Sequence, residues 1–330
     1  MNRVAIAKWS LLGALLVLGA VYLWRHASDF AGLITVRPVF LFPLLVATLL
    51  FLLILGLLNK VFLLFFGIRL AFREWFGLAV VTAFGNYLLP MRGGATTKAL
   101  YLKSRRDFPL TTFLSTMGAA YAVNTFLAAA IGAGCIVAMG EVGRPGPFRL
   151  FLLLCVVALV LLAIMCAPIP PPPPRNRFFR LAGATLDGWN RIRRRPALLA
   201  RVALLLGANF LVIAVILQLC FYAFSIPIHF LAALAIATVI GFTSLLSITP
   251  ANLGVQEGGV AILSQLVGPG FDEGLAAAIL ARAMMTVVVF ALGPIYSYIL
   301  MREVDTGERR PPPQPAETGR ENAEGTGGRA

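Results

Sequence analysis

The sequence predicts an all-α, polytopic membrane protein of about seven to eight transmembrane helices, with two broken hairpins entering from opposite sides. Three observations predict it. Hydrophobic residues make up 59% of the 330 residues and charged ones only 13%, against about half and about a quarter in a soluble domain. The apolar residues are gathered into long runs, such as Val39–Leu58, Phe148–Ala167 and Ala197–Phe224. About 20 apolar residues in a helix cross a ~30 Å hydrocarbon core, and several runs reach that length. The positive charge that gives a net +14 sits in short loops between the runs.

The spans fall at 8–24, 39–59, 75–90, 112–139, 148–167, 197–224, 230–249 and 275–301, with a short apolar piece at 255–268. Residues 1–301 form a single membrane domain. Residues 302–330, rich in Pro, Gly, Glu and Arg, cannot bury enough apolar area to offset their chain entropy, and a disordered cytoplasmic tail is expected there. Arg3–Trp24 has the basic-then-apolar order of a signal sequence. It lacks a small-x-small cleavage site before Arg25-His26, so it is read as a retained first span. Cys135, Cys155, Cys166 and Cys220 lie inside apolar runs without metal or redox spacing and read as packing residues. His26 and His229 sit at predicted helix ends as interfacial polar groups.

The loops give the orientation. Loop 168–196 holds Pro170–Pro174, then Arg175, Arg177, Arg180, Arg191, Arg193, Arg194 and Arg195 against the single Asp187. By the positive-inside rule it is cytoplasmic, and Phe178–Trp189 is expected to lie on the membrane surface as an amphipathic helix. Loop 140–147, with Glu141 and Arg144, lies outside. Loop 91–110, with Arg92, Lys98, Lys103, Arg105 and Arg106, lies inside, as does the amino terminus with Arg3 and Lys8. These assignments conflict if every apolar segment crosses. They are reconciled if 75–98 enters and leaves on the cytoplasmic side. That segment is short and ends at Pro90-Met91-Arg92-Gly93-Gly94.

A second discontinuity follows at Pro250-Ala251-Asn252-Leu253-Gly254. Proline removes a backbone donor, and glycine frees the chain. Residues 230–268 are therefore read as a hairpin entering from outside. Segments broken by Pro and Gly in each half point to a transport site near the midplane.

Charges inside membrane segments are costly unless paired or wet, which singles out Arg92, Glu257 and Arg282. An Arg–Glu pair there would either lock two helices or hold an anionic headgroup. Asn86 and Asn252 flank the breaks, and the helix starts after Gly94 and Gly254 offer backbone donors. Asn124, Asn209 and Gln218 read as interhelical glue. No Walker loop, metal-binding His-Glu helix or Gly-x-Ser-x-Gly elbow occurs, nor a Gly-Tyr-Gly filter or an aromatic-interleaved basic patch for nucleic acid. No enzymatic activity, cofactor, metal or nucleic-acid partner is expected.

Two motifs carry a resemblance. Asn86-Tyr87-Leu88-Leu89-Pro90-Met91-Arg92-Gly93-Gly94 with Lys98, and Ser247-Ile248-Thr249-Pro250-Ala251-Asn252-Leu253-Gly254-Val255-Gln256-Glu257, resemble the two signatures of the lysylphosphatidylglycerol synthase transmembrane-region family. Arg282 resembles the arginine common in its last helices. The resemblance spans about residues 10–300. Ala95 stands where the family commonly has Glu, and Lys98 where it has Arg. No soluble aminoacyltransferase domain follows, so lipid aminoacylation is not expected of this chain.

The resemblance implies a flippase-like module for lipids or lipid-linked intermediates in envelope or glycolipid biogenesis. The expected substrate is an anionic phospholipid or polyprenyl-linked glycolipid, contacted by Arg92, Lys98, Asn86, Asn252, Glu257 and Arg282. The expected place is the cytoplasmic (inner) membrane, with both termini cytoplasmic. The alternative is a non-transporting scaffold for a membrane glycosyltransferase or lipid synthase, docked through 168–196 and the tail. A third is a lipid-modifying enzyme with Glu257 as base.

Overall fold

The computed structural model describes residues 36–88, 93–143, 145–173, 176–244 and 250–305. The span expected at 8–24, the residues Pro90 and Arg92, and the tail beyond Asp305 lie outside the described residues.

Among the described residues ten α-helices follow one another: α1 (Leu41–Phe65), α2 (Phe72–Leu88), α3 (Gly93–Arg106), α4 (Leu110–Ala138), α5 (Pro145–Cys166), α6 (Arg177–Arg193), α7 (Pro196–Ala223), α8 (Phe230–Thr243), α9 (Val255–Val267) and α10 (Phe271–Asp305). Five of them, α1, α4, α5, α7 and α10, are long and apolar enough to cross a membrane. The chain is thus an all-helical, polytopic membrane protein. Local chemistry sets the ends. Gly67 and Gly140, at φ +81° and +73°, follow α1 and α4 in the left-handed conformation glycine tolerates. Pro196 opens α7, where its missing N–H is not needed. Asn176 caps α6 by accepting from Phe179 N at 3.0 Å.

Several boundaries differ from the sequence expectation; α1, expected to end at 59, runs on to Phe65. Residues 91–110 were read as a loop, yet Gly93–Arg106 is helical. It carries a basic last turn (Lys103, Arg105, Arg106) that suits the negative end of a helix dipole. The run expected to continue to 249 leaves helix at Thr243. The last helix extends past 301 to Asp305.

Helix α6 is amphipathic, as expected of 178–189. Trp189 and Ile192 pack against α4 and α7, while Arg180 and Arg191 point outward. Ser115 Oγ of α4 donates to Thr185 O at 2.6 Å, and Gly188 lets the two helices touch.

Two helical hairpins sit among the long helices. In the first, α2 and α3 run antiparallel. Glu74 at the start of α2 pairs with Arg106 at the end of α3 at 2.6 Å, and Gly94 N donates to Asn86 Oδ1 at the other end at 3.1 Å. Both open ends therefore lie at one end of the bundle. The same end holds the start of α4, the helix α6 and the close of α10, where Tyr296 meets Phe76. In the second hairpin, α8 and α9 pack together from the opposite end, where Arg37 N also meets Ala223 O at 3.0 Å. The two tips converge: Ala251 packs with Phe84, Tyr87 and Val289. At about 20–26 Å, none of the four hairpin helices matches a ~30 Å core.

Packing relies on small residues, because apolar side chains gain nothing from leaving lipid for one another. Helix α8 buries Ala232, Ala233, Ala235, Ala237 and Gly241, so α4, α7 and α9 approach it closely. The tightest approach is in the first hairpin. A Cβ on Gly94 would run into the backbone carbonyl of Thr82, with the Asn86 side chain close beside it. Gly94→Ala is therefore expected to destabilise the protein by at least about 3 kcal/mol, beyond ordinary overpacking. In α4, Gly118 has nothing within 4 Å of its would-be Cβ, so Gly118→Ala should be neutral or slightly stabilising. Thermal unfolding of the two purified variants in detergent checks the contrast. Equal melting temperatures would contradict the close approach.

Candidate functional site

Breaking a helix in an apolar interior strands backbone donors and acceptors, and each must find a partner. At the second break they do. Ala251 and Asn252 adopt left-handed backbone, at φ 50° and 57°, followed by Gly254 at 81°. Asn252 Nδ2 donates to Thr243 O at 2.9 Å, closing the end of α8. Asn124 Nδ2, from α4, donates to Gly241 O at 3.1 Å. Glu257 Oε2 accepts from Gly254 N at 2.7 Å, capping α9. Arg282 of α10 pairs through Nε with Glu257 Oε1 and donates from Nη2 to Ala251 O at 3.2 Å. At the first break, Asn86 Oδ1 accepts from the N–H of Gly94, in the first turn of α3.

The expected Arg–Glu pair thus forms between Glu257 and Arg282. It acts as a clamp joining the break to α10. Glu257 is 7% exposed, and both its oxygens are engaged. Glu74, which the sequence reading passed over, is built alike. It is 5% exposed, accepts from Ala71 N at 2.9 Å and binds Arg106, closing the open end of the first hairpin. Its signal was a lone acid between Arg73 and the first turn of an apolar helix.

Between the hairpin tips and the long helices lies a cavity of about 450 Å³. This is within the usual size of small-ligand sites. Lys98, Asn86, Asn252 and Arg282, four of the six expected contact residues, line it together with Ala95. Glu257 stands behind Arg282. Arg92 lies outside the described residues. The expected breaks are accounted for by Gly93 and Gly94 at the start of α3, by Pro250 opening the short turn Pro250–Asn252, and by Gly254.

Lys98 is the cavity's second cation. Its Nζ binds Asn59 Oδ1 of α1 and sits 5.5 Å from the centre of the Phe113 ring. Among the described residues no carboxylate opposes it. With Arg282 neutralised by Glu257, the described lining carries one net positive charge among amides and hydroxyls: Asn59, Thr82, Tyr121, Asn124, Asn209 and Gln256. Such a surface suits a single anionic group.

Asn124 does serve as interhelical glue, as does Gln218, which donates to Tyr222 Oη at 3.1 Å and Ile228 O at 3.3 Å. Asn209 does not fit that reading. It is 6% exposed and lines the cavity, and its Oδ1 meets no partner among the described residues. Nor did Asn59 stand out, because as the last residue of an apolar run before Lys60 it looked like an interfacial end. No sequence signal separates these two from ordinary membrane asparagines.

A family model described as the lysylphosphatidylglycerol synthase TM region matches residues 10–293, which include both hairpins and Arg282. No curated protein matches the chain.

Proposed function

The chain therefore belongs to the lysylphosphatidylglycerol synthase transmembrane-region family, and from that premise we propose that it carries a lipid or lipid-linked substrate with an anionic headgroup between membrane leaflets. The observation that supports this best is the central cavity. Two hairpins from opposite ends of the bundle meet there, and Lys98 offers a positive charge with no opposing carboxylate among the described residues. The headgroup would pass through the polar cavity while the tails stay in lipid.

In this reading the end bearing Lys103, Arg105, Arg106, Arg191, Arg193, Arg194 and Arg195 faces the cytoplasm of the inner membrane, by the positive-inside rule. The hairpins then re-enter, the first from the cytoplasm and the second from outside. The five long helices cross, α10 ends on the cytoplasmic side, and both termini are assigned to the cytoplasm. Arg92, between α2 and α3 in the chain, would join Lys98 as a headgroup contact. The fitting substrates are an anionic phospholipid or a polyprenyl-linked glycolipid. A membrane glycosyltransferase or lipid synthase would be the fitting partner. The reading is of a carrier, not an enzyme. Glu257, the best candidate base, has both oxygens committed to the fold.

An anionic phospholipid with a photoreactive group on its headgroup provides the test. On illumination of the protein in vesicles, labelling is expected within α2, α3 and α7 at the cavity. Labelling confined to the outward face of α5, where Leu152, Val156 and Leu159 are exposed, would favour the scaffold reading.

A further inference from the structure

We propose that the corner where α6 turns into α7 is a second lipid site, on the outside of the bundle, that holds a phospholipid with two phosphate groups from the surrounding leaflet. The inference does not depend on the cavity. It starts from four arginines. Arg191 lies in the last turn of α6, Arg194 and Arg195 make the corner, and Arg201 stands on the second turn of α7. All four are exposed, and none of their guanidinium groups has a partner among the described residues. Asp187 is the only acid in either helix, so the corner keeps a strong positive charge.

Two features separate this corner from an ordinary basic loop. The first is that it is fixed. Trp189 and Ile192 are buried in one cluster with Leu198 and Val202 of α7. Asn190 Nδ2 donates to Ile169 O at 2.9 Å, and Arg193 turns back to donate to Cys166 O. A ligand therefore meets arginines on a backbone that is already ordered. The second is depth. Arg201 belongs to a helix that crosses the membrane, on the same outward face as Leu204, Leu211 and Val215. An arginine facing lipid is costly unless it reaches the headgroup layer and meets an anion there. The apolar stripe gives acyl chains a surface, and the arginines give the headgroup one.

The number of guanidinium groups sets the class of headgroup. A zwitterionic headgroup brings an ammonium along with its phosphate. One phosphodiester, engaged by two arginines, leaves two more without a counter-charge. Two phosphates on one lipid meet all four.

The test mixes purified full-length protein in detergent with equimolar cardiolipin, phosphatidylglycerol and phosphatidylethanolamine, and reads the bound lipid by native mass spectrometry. Cardiolipin is expected to bind best and phosphatidylethanolamine least. Arg194→Gln, Arg195→Gln and Arg201→Gln together should cut bound cardiolipin by at least about tenfold, because each arginine near a lipid surface adds to the attraction of anionic lipid. The lipid-free variant should melt with the wild type, since all three side chains are exposed. Lysine at the same three positions keeps the charge, guards against a folding defect and should retain cardiolipin at an intermediate level. Lys98→Met, inside the cavity, should leave bound cardiolipin largely unchanged. Cardiolipin held no better than phosphatidylglycerol by the wild type, or held equally by the glutamine variant, would overturn the proposal. Cardiolipin lost with Lys98→Met and kept by the glutamine variant would also overturn it, by placing the lipid in the cavity. Cardiolipin held at the corner of a protein that moves no lipid would overturn the transport reading and leave this one standing.

Discussion

Replacing Glu257 with leucine is expected to destabilise the protein by about 3–5 kcal/mol, the range seen when one partner of a buried ion pair is removed. The residue is 7% exposed, and its two oxygens hold Arg282 and the first free N–H of α9. Without it, Arg282 loses the carboxylate that neutralises it in a buried place, and the break at Ala251–Gly254 loses its cap. Removing both charges should cost less than removing one, because no bare charge remains. Glu257→Leu with Arg282→Met should therefore recover a good part of the loss. It will not recover all of it, since Ala251 O and Gly254 N still lose their partners. Thermal unfolding of the single and double variants in detergent makes the comparison. A single variant within about 1 kcal/mol of the wild type would show that the pair contributes little to the fold.

Lys98→Met should do the reverse. A lysine held among apolar helices without an opposing carboxylate is an expensive residue, and its stem alone would pack as well as methionine's. Stability is expected to stay level or rise, while movement of an anionic lipid falls by at least about tenfold, the effect of about 1.4 kcal/mol. Loss of function without loss of stability marks a site residue and not a structural one. A second variant isolates the charge. Ala95 precedes Lys98 by one helical turn on the same face and also lines the cavity. Ala95→Glu places a carboxylate where the family pattern commonly has one. It should quench the preference for anionic over zwitterionic lipid while leaving Lys98 in place. Unchanged lipid movement in both variants would remove Lys98 from the site.

Much of the fold was legible because membrane burial writes itself into composition. The long apolar runs became α1, α4, α5, α7 and α10 with shifts of a few residues. The hairpins were legible for a different reason. Positive loops on the wrong side of an assumed crossing led to the expectation that 75–98 returns to its own side, and α2 and α3 do run antiparallel. Glycine and proline showed where the chain could turn. A helix start after Gly94 was legible but the full extent of polar α3 was not, because its stability comes from contact with α2 at Gly85 and Gly94 and from the Glu74–Arg106 pair, which sequence order does not reveal.

The site was only partly legible. Intramembrane charge pointed to Arg92, Glu257 and Arg282, the family resemblance pointed to Lys98, and the breaks pointed to Asn86 and Asn252. Their division of labour was hidden. Asn86, Asn252 and Glu257 close backbone groups exposed by the breaks, whereas Lys98 faces the cavity. Asn59 and Asn209 come from helices far along the chain from either motif, and only the packing of α1 and α7 around the hairpins brings them in.

The most direct measurement is lipid movement by the purified protein. Liposomes containing it carry a fluorescent label on an anionic or a zwitterionic lipid in both leaflets, and a membrane-impermeant reductant is added outside. Wild-type protein should expose the inner-leaflet anionic label faster than empty liposomes do, and faster than it exposes the zwitterionic one. Lys98→Met should return the anionic rate to that of empty liposomes. Anionic label that stays protected with wild-type protein at every ratio of protein to lipid would contradict translocation.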